Sequence, residues 1–226
     1  MSGGLGGGAA ALVSGDGAGA VEGLRRLGAL RQRAEALWRC DLCSAEVAPH
    51  PHHEHLLEPA ARQVACACTP CALLFPADAG KRYRRVPRRV WHLNGFTLSD
   101  EQWDALAVPV NIAYFHTRSP GGDVHVEYPS PAGAMESLLT LQGWADVVAT
   151  NPVLLRMQPD VEALLVYRIG SEREHFLVPI DRCFELVGLI RVHWHGLSGG
   201  TEVWQRIARF FSALRENAVE REAARA

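Results

Sequence analysis

Two pairs of cysteines, Cys40-Asp-Leu-Cys43 and Cys68-Thr-Pro-Cys71, have the spacing that lets four thiolates converge tetrahedrally on one metal ion. Each Cys-x-x-Cys turn presents two sulfurs to the same point, and residues 44–67 suffice for a hairpin that returns the second pair beside the first. The segment 40–71 holds four histidines and few large apolar side chains, so an ion at Cys40, Cys43, Cys68 and Cys71 would supply much of its folding free energy. Free thiols and disulfides are the rival readings. Paired spacing argues against the first, and the absence of secretory features against the second.

Cys66 adds a fifth thiol beside the second pair. On a strand, Cys66 and Cys68 point to the same face, so either could reach the ion. The two-residue gap between Cys68 and Cys71 fits a metal turn better, which leaves Cys66 spare or in a supporting position. A five-thiolate arrangement or an iron–sulfur cluster is the alternative. His50, His52, His53 and His55 form a local histidine run able to hold nickel, copper or zinc. A polar loop, or one imidazole against the cysteine sulfurs, is the favoured reading, because nothing in the proline-rich sequence fixes the rings.

The stretch Arg191-Val-His193-Trp-His195-Gly-Leu-Ser-Gly-Gly200 is a glycine turn opening onto a helix, where free amides can bind an anion. Helix-to-helix turns need glycine and a capping residue whatever their function, so a structural role is expected. Asp160, Glu162, Glu174 and His175 stand at strand starts and read as solvated punctuation. Cys183, in an apolar helix, reads as a small core residue. Nucleophile-elbow, Walker, dinucleotide-binding and His-Glu-x-x-His motifs are absent from the sequence.

These residues need a scaffold, and 226 residues with 48% hydrophobic content can build one. Residues 1–20, rich in Gly and Ala, read as a disordered tail without a signal-peptide core, and Val21–Trp38 as an amphipathic helix. The predicted hairpin arms are His55–Glu58 and Arg62–Cys66, with Leu73, Leu74 and Phe75 stapling this module, 21–80, to the rest. Lys81–Arg89 reads as an extended basic segment, usually a solvated face and here the best candidate for steering an acidic partner.

Residues 81–226 read as an α+β domain. Ser99 and Gln102 open a helix, and 108–115 with 124–128 form a hairpin. Pro131–Ala149 has a helical stripe, and Val161–Ile169 with His175–Ile180 form a second hairpin. Asp181 then caps a helix to Trp194, and a last helix runs from Ser198 or Thr201 to the C-terminus. The resulting architecture is a zinc-ribbon-like module followed by a four-stranded, mostly antiparallel sheet covered by helices. A net charge of −2 gives the whole molecule no electrostatic attraction to nucleic acid or acidic membranes. With no apolar run long enough to span a bilayer, a soluble cytoplasmic protein is expected.

The runs Cys40–Cys43, His53-Glu-His-Leu-Leu-Glu58, Cys66–Phe75, Tyr128–Ala134, Pro159–Leu165, Pro179–Cys183 and Gly196–Gly200 together resemble an uncharacterised actinobacterial family. Members of that family are encoded beside the genes of high-affinity nickel–iron hydrogenases, and the resemblance spans about residues 36–215. It implies a pathway and not a reaction: an accessory protein of hydrogenase maturation or assembly that binds hydrogenase subunits or maturation proteins. A rubredoxin-like electron carrier with iron in the same thiolates is the second reading. Rubredoxin-like turns usually carry Gly after the second cysteine, where this chain has Ser44 and Ala72, which favours zinc. An enzyme using the 191–200 turn is the third.

Overall fold

The computed structural model describes residues 38–75, 82–137 and 143–223. The readings of 1–20 as a tail and of 21–37 as most of a helix lie outside those residues. From Arg39 onward the chain forms one compact unit of mixed helices and mostly antiparallel strands.

The larger sheet has seven strands. In chain order these are β4 (Trp91–Asn94), β5 (Ile112–Arg118), β6 (Asp123–Ser130), β7 (Gly133–Glu136), β8 (Glu162–Tyr167), β9 (Glu174–Pro179) and β10 (Val219–Glu222). Their spatial order is β10-β4-β9-β8-β5-β6-β7, antiparallel except for the parallel pair β10–β4. Strands β5, β8 and β9 are apolar nearly throughout because both faces are covered. Period two divides their side chains between two cores. Tyr114, Leu165 and Phe176 point one way, onto helices α4 (Ile180–His193) and α5 (Gly200–Asn217). Phe115, Leu164 and Leu177 point the other way, onto α2 (Asp100–Ala105), α3 (Trp144–Thr150) and the 3-10 turn Pro152–Arg156. Helix α5 buries Val203, Ile207, Phe210, Phe211 and Leu214, one stripe at helical spacing. The Ser99–Gln102 capping box starts α2 as expected.

The smaller sheet is β2-β1-β3, made of β1 (Glu54–Glu58), β2 (Gln63–Ala67) and β3 (Arg84–Arg85). Strand β1 serves two cores. Leu57 joins Val86 and Val90 in the α4/α5 core, while Leu56 packs with Cys40, Ala67 and Ala72 around the cysteines.

Several sequence readings change. The sheet has seven strands because β4, β7 and β10 join the two expected hairpins. Pro131–Ala149 is not one helix: Gly133–Glu136 pairs with Glu127–Ser130 as a strand, and α3 begins at Trp144 after Gly143 takes a φ of 85°. Helical stripe spacing in this stretch was outweighed by a ladder whose turn contains Pro131 and a Gly133 at φ 121°. The last helix stops at Asn217 and gives way to β10. Leu73 and Leu74 are exposed and staple nothing, while Phe75 packs edge-on against Tyr83. Asp181 lies inside the first turn of α4 and makes no cap bond; the residue at the cap is Pro179.

Candidate metal centre

The first cysteine pair sits on a tight turn ahead of β1. Cys40 N–H donates to Ala45 O and Ser44 N–H to Cys40 O, and Ser44 takes a φ of 61°. The second pair lies elsewhere than on a matching turn. Strand β2 ends at Ala67, Cys68 is the N-cap of the short helix α1 (Thr69–Leu73), and Cys71 lies in its first turn after Pro70. A proline there starts the helix without wasting a donor. Asp41 clasps the two halves together: its N–H donates to Cys66 O at 2.8 Å and its Oδ2 accepts from Cys66 N–H at 2.6 Å.

This scaffold brings Cys40, Cys43, Cys68 and Cys71 together, with all four Sγ atoms within 4.8 Å of one another. Cys43 Sγ and Cys68 Sγ are 3.7 Å apart. A tetrahedron with zinc–sulfur bonds of about 2.3 Å has edges of about 3.8 Å, whereas a disulfide needs about 2.05 Å. The donor set therefore fits a four-thiolate ion. Cys40 is almost fully enclosed. Burial pushes its thiol pKa up, but the backbone amides of Cys68, Leu42 and Cys43 outweigh that and hold it down at about 6. Hydrogen bonds with Cys68 and Cys43 push Cys71 up to about 12. The four thiols thus hold their protons unequally, and a bound ion displaces those that remain.

Cys66 belongs to a different face. It lies opposite His55 in the β1–β2 ladder, and its side chain groups with His53 and His55 rather than with the four cysteines. The period-two inference linking Cys66 to Cys68 fails because the chain leaves the strand between them. His52 is exposed, and His50 stacks on His55 with ring centres 5.5 Å apart.

The other expected sites resolve differently. In the glycine turn, Gly199 has a φ of 85° and a Cβ on it would lie 2.8 Å from Val203 Cγ1 and 3.0 Å from the Trp194 ring, so backbone conformation and packing explain glycine there. Cys183 is fully buried, and its thiol pKa is raised by burial, as a core residue's would be. The basic segment is only partly a solvated face. Arg84 is buried against Asp160, and Arg85 and Arg88 both reach Glu54. Arg82 pairs with Glu58. Arg89 borders a cleft of about 880 Å3, where its guanidinium and that of Arg221 both lie over the Trp91 indole and Arg156 stands nearby.

Sequence reasoning missed a buried polar cluster on β5 and β6. Glu127, 1% exposed, accepts from Tyr114 Oη at 2.6 Å and Arg118 Nη2 at 2.8 Å, and also pairs with Arg62. His116 Nε2 lies 3.2 Å from the same carboxylate. Burial pushes the Tyr114 hydroxyl well above its ordinary pKa, so it stays a donor. The available signal was alternation: Tyr114, His116 and Arg118 share one strand face. Asp160, Glu162, Glu174 and His175 are likewise all buried and not solvated punctuation.

No described helix is long and apolar enough to cross a membrane. No curated protein and no solved structure matches the chain. The sequence profile of a family of unknown function (DUF5947) matches residues 39–218, from the edge of the first cysteine turn to the end of α5, and the chain belongs to that family.

Proposed function

We propose that the protein is an accessory factor of nickel–iron hydrogenase maturation or assembly that works by binding hydrogenase subunits or maturation proteins. In this reading Cys40, Cys43, Cys68 and Cys71 hold a structural zinc ion. The observation that carries the metal assignment is the gathering of four sulfurs at tetrahedral spacing in a chain with a very small local core. Zinc there supplies folding free energy to the 38–75 segment. The hydrogenase connection rests on the sequence resemblance. A partner-facing role is supported by the arginine-lined cleft around Trp91, whose guanidinium groups would steer an acidic surface.

One observation favours the electron-carrier reading. Ser44 adopts the left-handed conformation usual for glycine, and the Ala45 amide bonds the Cys43 sulfur, as an iron–thiolate turn requires. Elemental analysis and visible absorption separate the two. About one zinc per chain in a colourless protein supports the structural role; stoichiometric iron with thiolate-to-iron absorption overturns it. Hydrogenase subunits should co-purify with the protein, and reversal of Arg88, Arg89 and Arg156 should weaken their retention most at low salt, with the difference from wild type shrinking as salt screens the charges. Equal retention at every salt concentration removes the cleft from the proposal.

A further inference from the structure

The second cluster, on the opposite face of the β1–β2 hairpin from Leu56, sets two imidazole nitrogens and a thiol against one another. His55 faces Cys66 across the ladder, and His53, two residues earlier, projects to the same side. One nitrogen from each ring and Cys66 Sγ lie within 4.8 Å of one another, and the two Nε2 atoms are 2.9 Å apart. Both far nitrogens are already committed. His53 Nδ1 lies 2.9 Å from the Ala48 carbonyl oxygen and His55 Nδ1 lies 2.6 Å from Asp181 Oδ2. A carbonyl and a carboxylate only accept, so each Nδ1 carries the hydrogen and each neutral ring turns its Nε2 lone pair toward the other.

Two lone pairs at 2.9 Å repel unless a positive species sits with them. A shared proton would suffice for the two nitrogens, but it gives no role to the thiol placed beside them. An ion accounts for all three donors. The surroundings have the form found behind metal-ligating histidines, in which a carboxylate or carbonyl holds the far ring nitrogen and fixes tautomer and orientation. The spacing also discriminates between ions. With metal–nitrogen bonds of about 2.0–2.1 Å, a 2.9 Å separation subtends about 90° at the ion, whereas a tetrahedral ion would need about 3.4 Å. Right angles belong to square-planar and octahedral ions, and imidazole and thiolate donors select nickel(II) or copper(II) among these over magnesium, calcium or manganese.

We propose that His53 Nε2, His55 Nε2 and Cys66 Sγ form a second metal site, separate from the four-thiolate centre, that takes a divalent ion of the nickel(II) class. Asp181, reaching in from α4, positions His55. The site opens onto a groove of about 150 Å3 lined by His50, His52 and Arg88, which gives an ion or its carrier a way in. The site does not depend on what partner the protein serves.

The test uses the untagged full chain, with zinc already in the four-thiolate centre, titrated with nickel(II) alone. One additional nickel per chain is expected, with thiolate-to-nickel charge-transfer absorption and with zinc content unchanged. Cys66→Ser should abolish that absorption, and His55→Ala should abolish stoichiometric binding. Asp181→Asn should weaken binding about 10–100-fold. Retained zinc in each variant shows that the hairpin is folded. Nickel binding equal to wild type in both His55→Ala and Cys66→Ser overturns the proposal, as does nickel that enters only by displacing zinc. Absence of any additional nickel in the wild-type chain, with nitrogen NMR showing an imidazolium at His55, assigns the pair to a shared proton and overturns it too.

Discussion

Arg84 and Asp160 are each 5% exposed and form an ion pair that ties the small sheet to the large one. Arg84 also donates to the Pro159 carbonyl at 2.7 Å, while Asp160 accepts from Ser119 N at 2.9 Å and Ser119 Oγ at 2.6 Å. Asp160 holds this position with a φ of 68°. Removing one member of such a pair leaves the other charge buried without its counterion. Arg84→Ala should cost about 3–5 kcal/mol in chemical denaturation, and the double replacement with Asp160→Ala should cost less than the sum of the single changes. Additive costs would show that the two side chains act independently.

Tyr114→Phe should cost about 1–3 kcal/mol, because it removes the donor to Glu127 Oε2 inside the sheet and puts no other in its place. Thermal or urea unfolding checks this. A loss below a few tenths of a kcal/mol would mean that Arg62 and Arg118 already satisfy the carboxylate.

His175 gives a pH dependence of known sign. Burial, followed by the nearby Arg168 charge, pushes its pKa down to about 4 from an ordinary 6.5. Its ring stacks on Phe96 with centres 4.5 Å apart, and its Nε2 has no hydrogen-bond partner among the described residues. The unfolded chain takes up this proton near 6.5 and the folded chain only near 4. Stability is therefore intact above pH 6.5 and falls as pH drops toward 4, by roughly 3 kcal/mol from this residue. His175→Phe should flatten the stability–pH curve across that window. An unchanged slope would place the titration elsewhere.

Gly199→Ala should destabilise by about 2 kcal/mol, since φ is 85° there and the new methyl meets Val203 and Trp194. Gly196→Ala, at φ 64° but with nothing within 4 Å, isolates the backbone contribution. If the two cost the same, the Trp194 contact carries no weight.

Local signals carried the parts of this fold that were legible in the sequence. The Ser99–Gln102 capping box, the Gly121-Gly122 turn and the Gly170 turn mark helix and hairpin ends through short-range chemistry, and they stand where expected. The four paired cysteines come together for the same reason, since their spacing encodes a turn and a helix start. What escaped depended on partners distant in sequence. Strand β7 needs β6 beside it, and β10 needs β4. Glu127 looks like a solvent residue until Arg62, some 65 residues earlier, is folded over it. The role of Cys66 turned on the residue at which β2 ends, and a one-residue difference decides which face a side chain joins.

The parallel strand at the end of the described chain sets an order of assembly. The hairpins β5–β6 and β8–β9 close across a few residues, but β10 must find β4 across 128 positions, the separation of the His92–Glu220 contact. Contacts so far apart carry a large loop-closure cost and form late in folding. The same strand is an outer edge of the sheet, so it is also placed to open first from the native state, while β8 and β9 at the centre exchange their amide hydrogens last. Arg221, whose guanidinium lies over the Trp91 indole, would then part from it before any of the core opens, making the cleft around them the most readily remodelled surface of the large sheet.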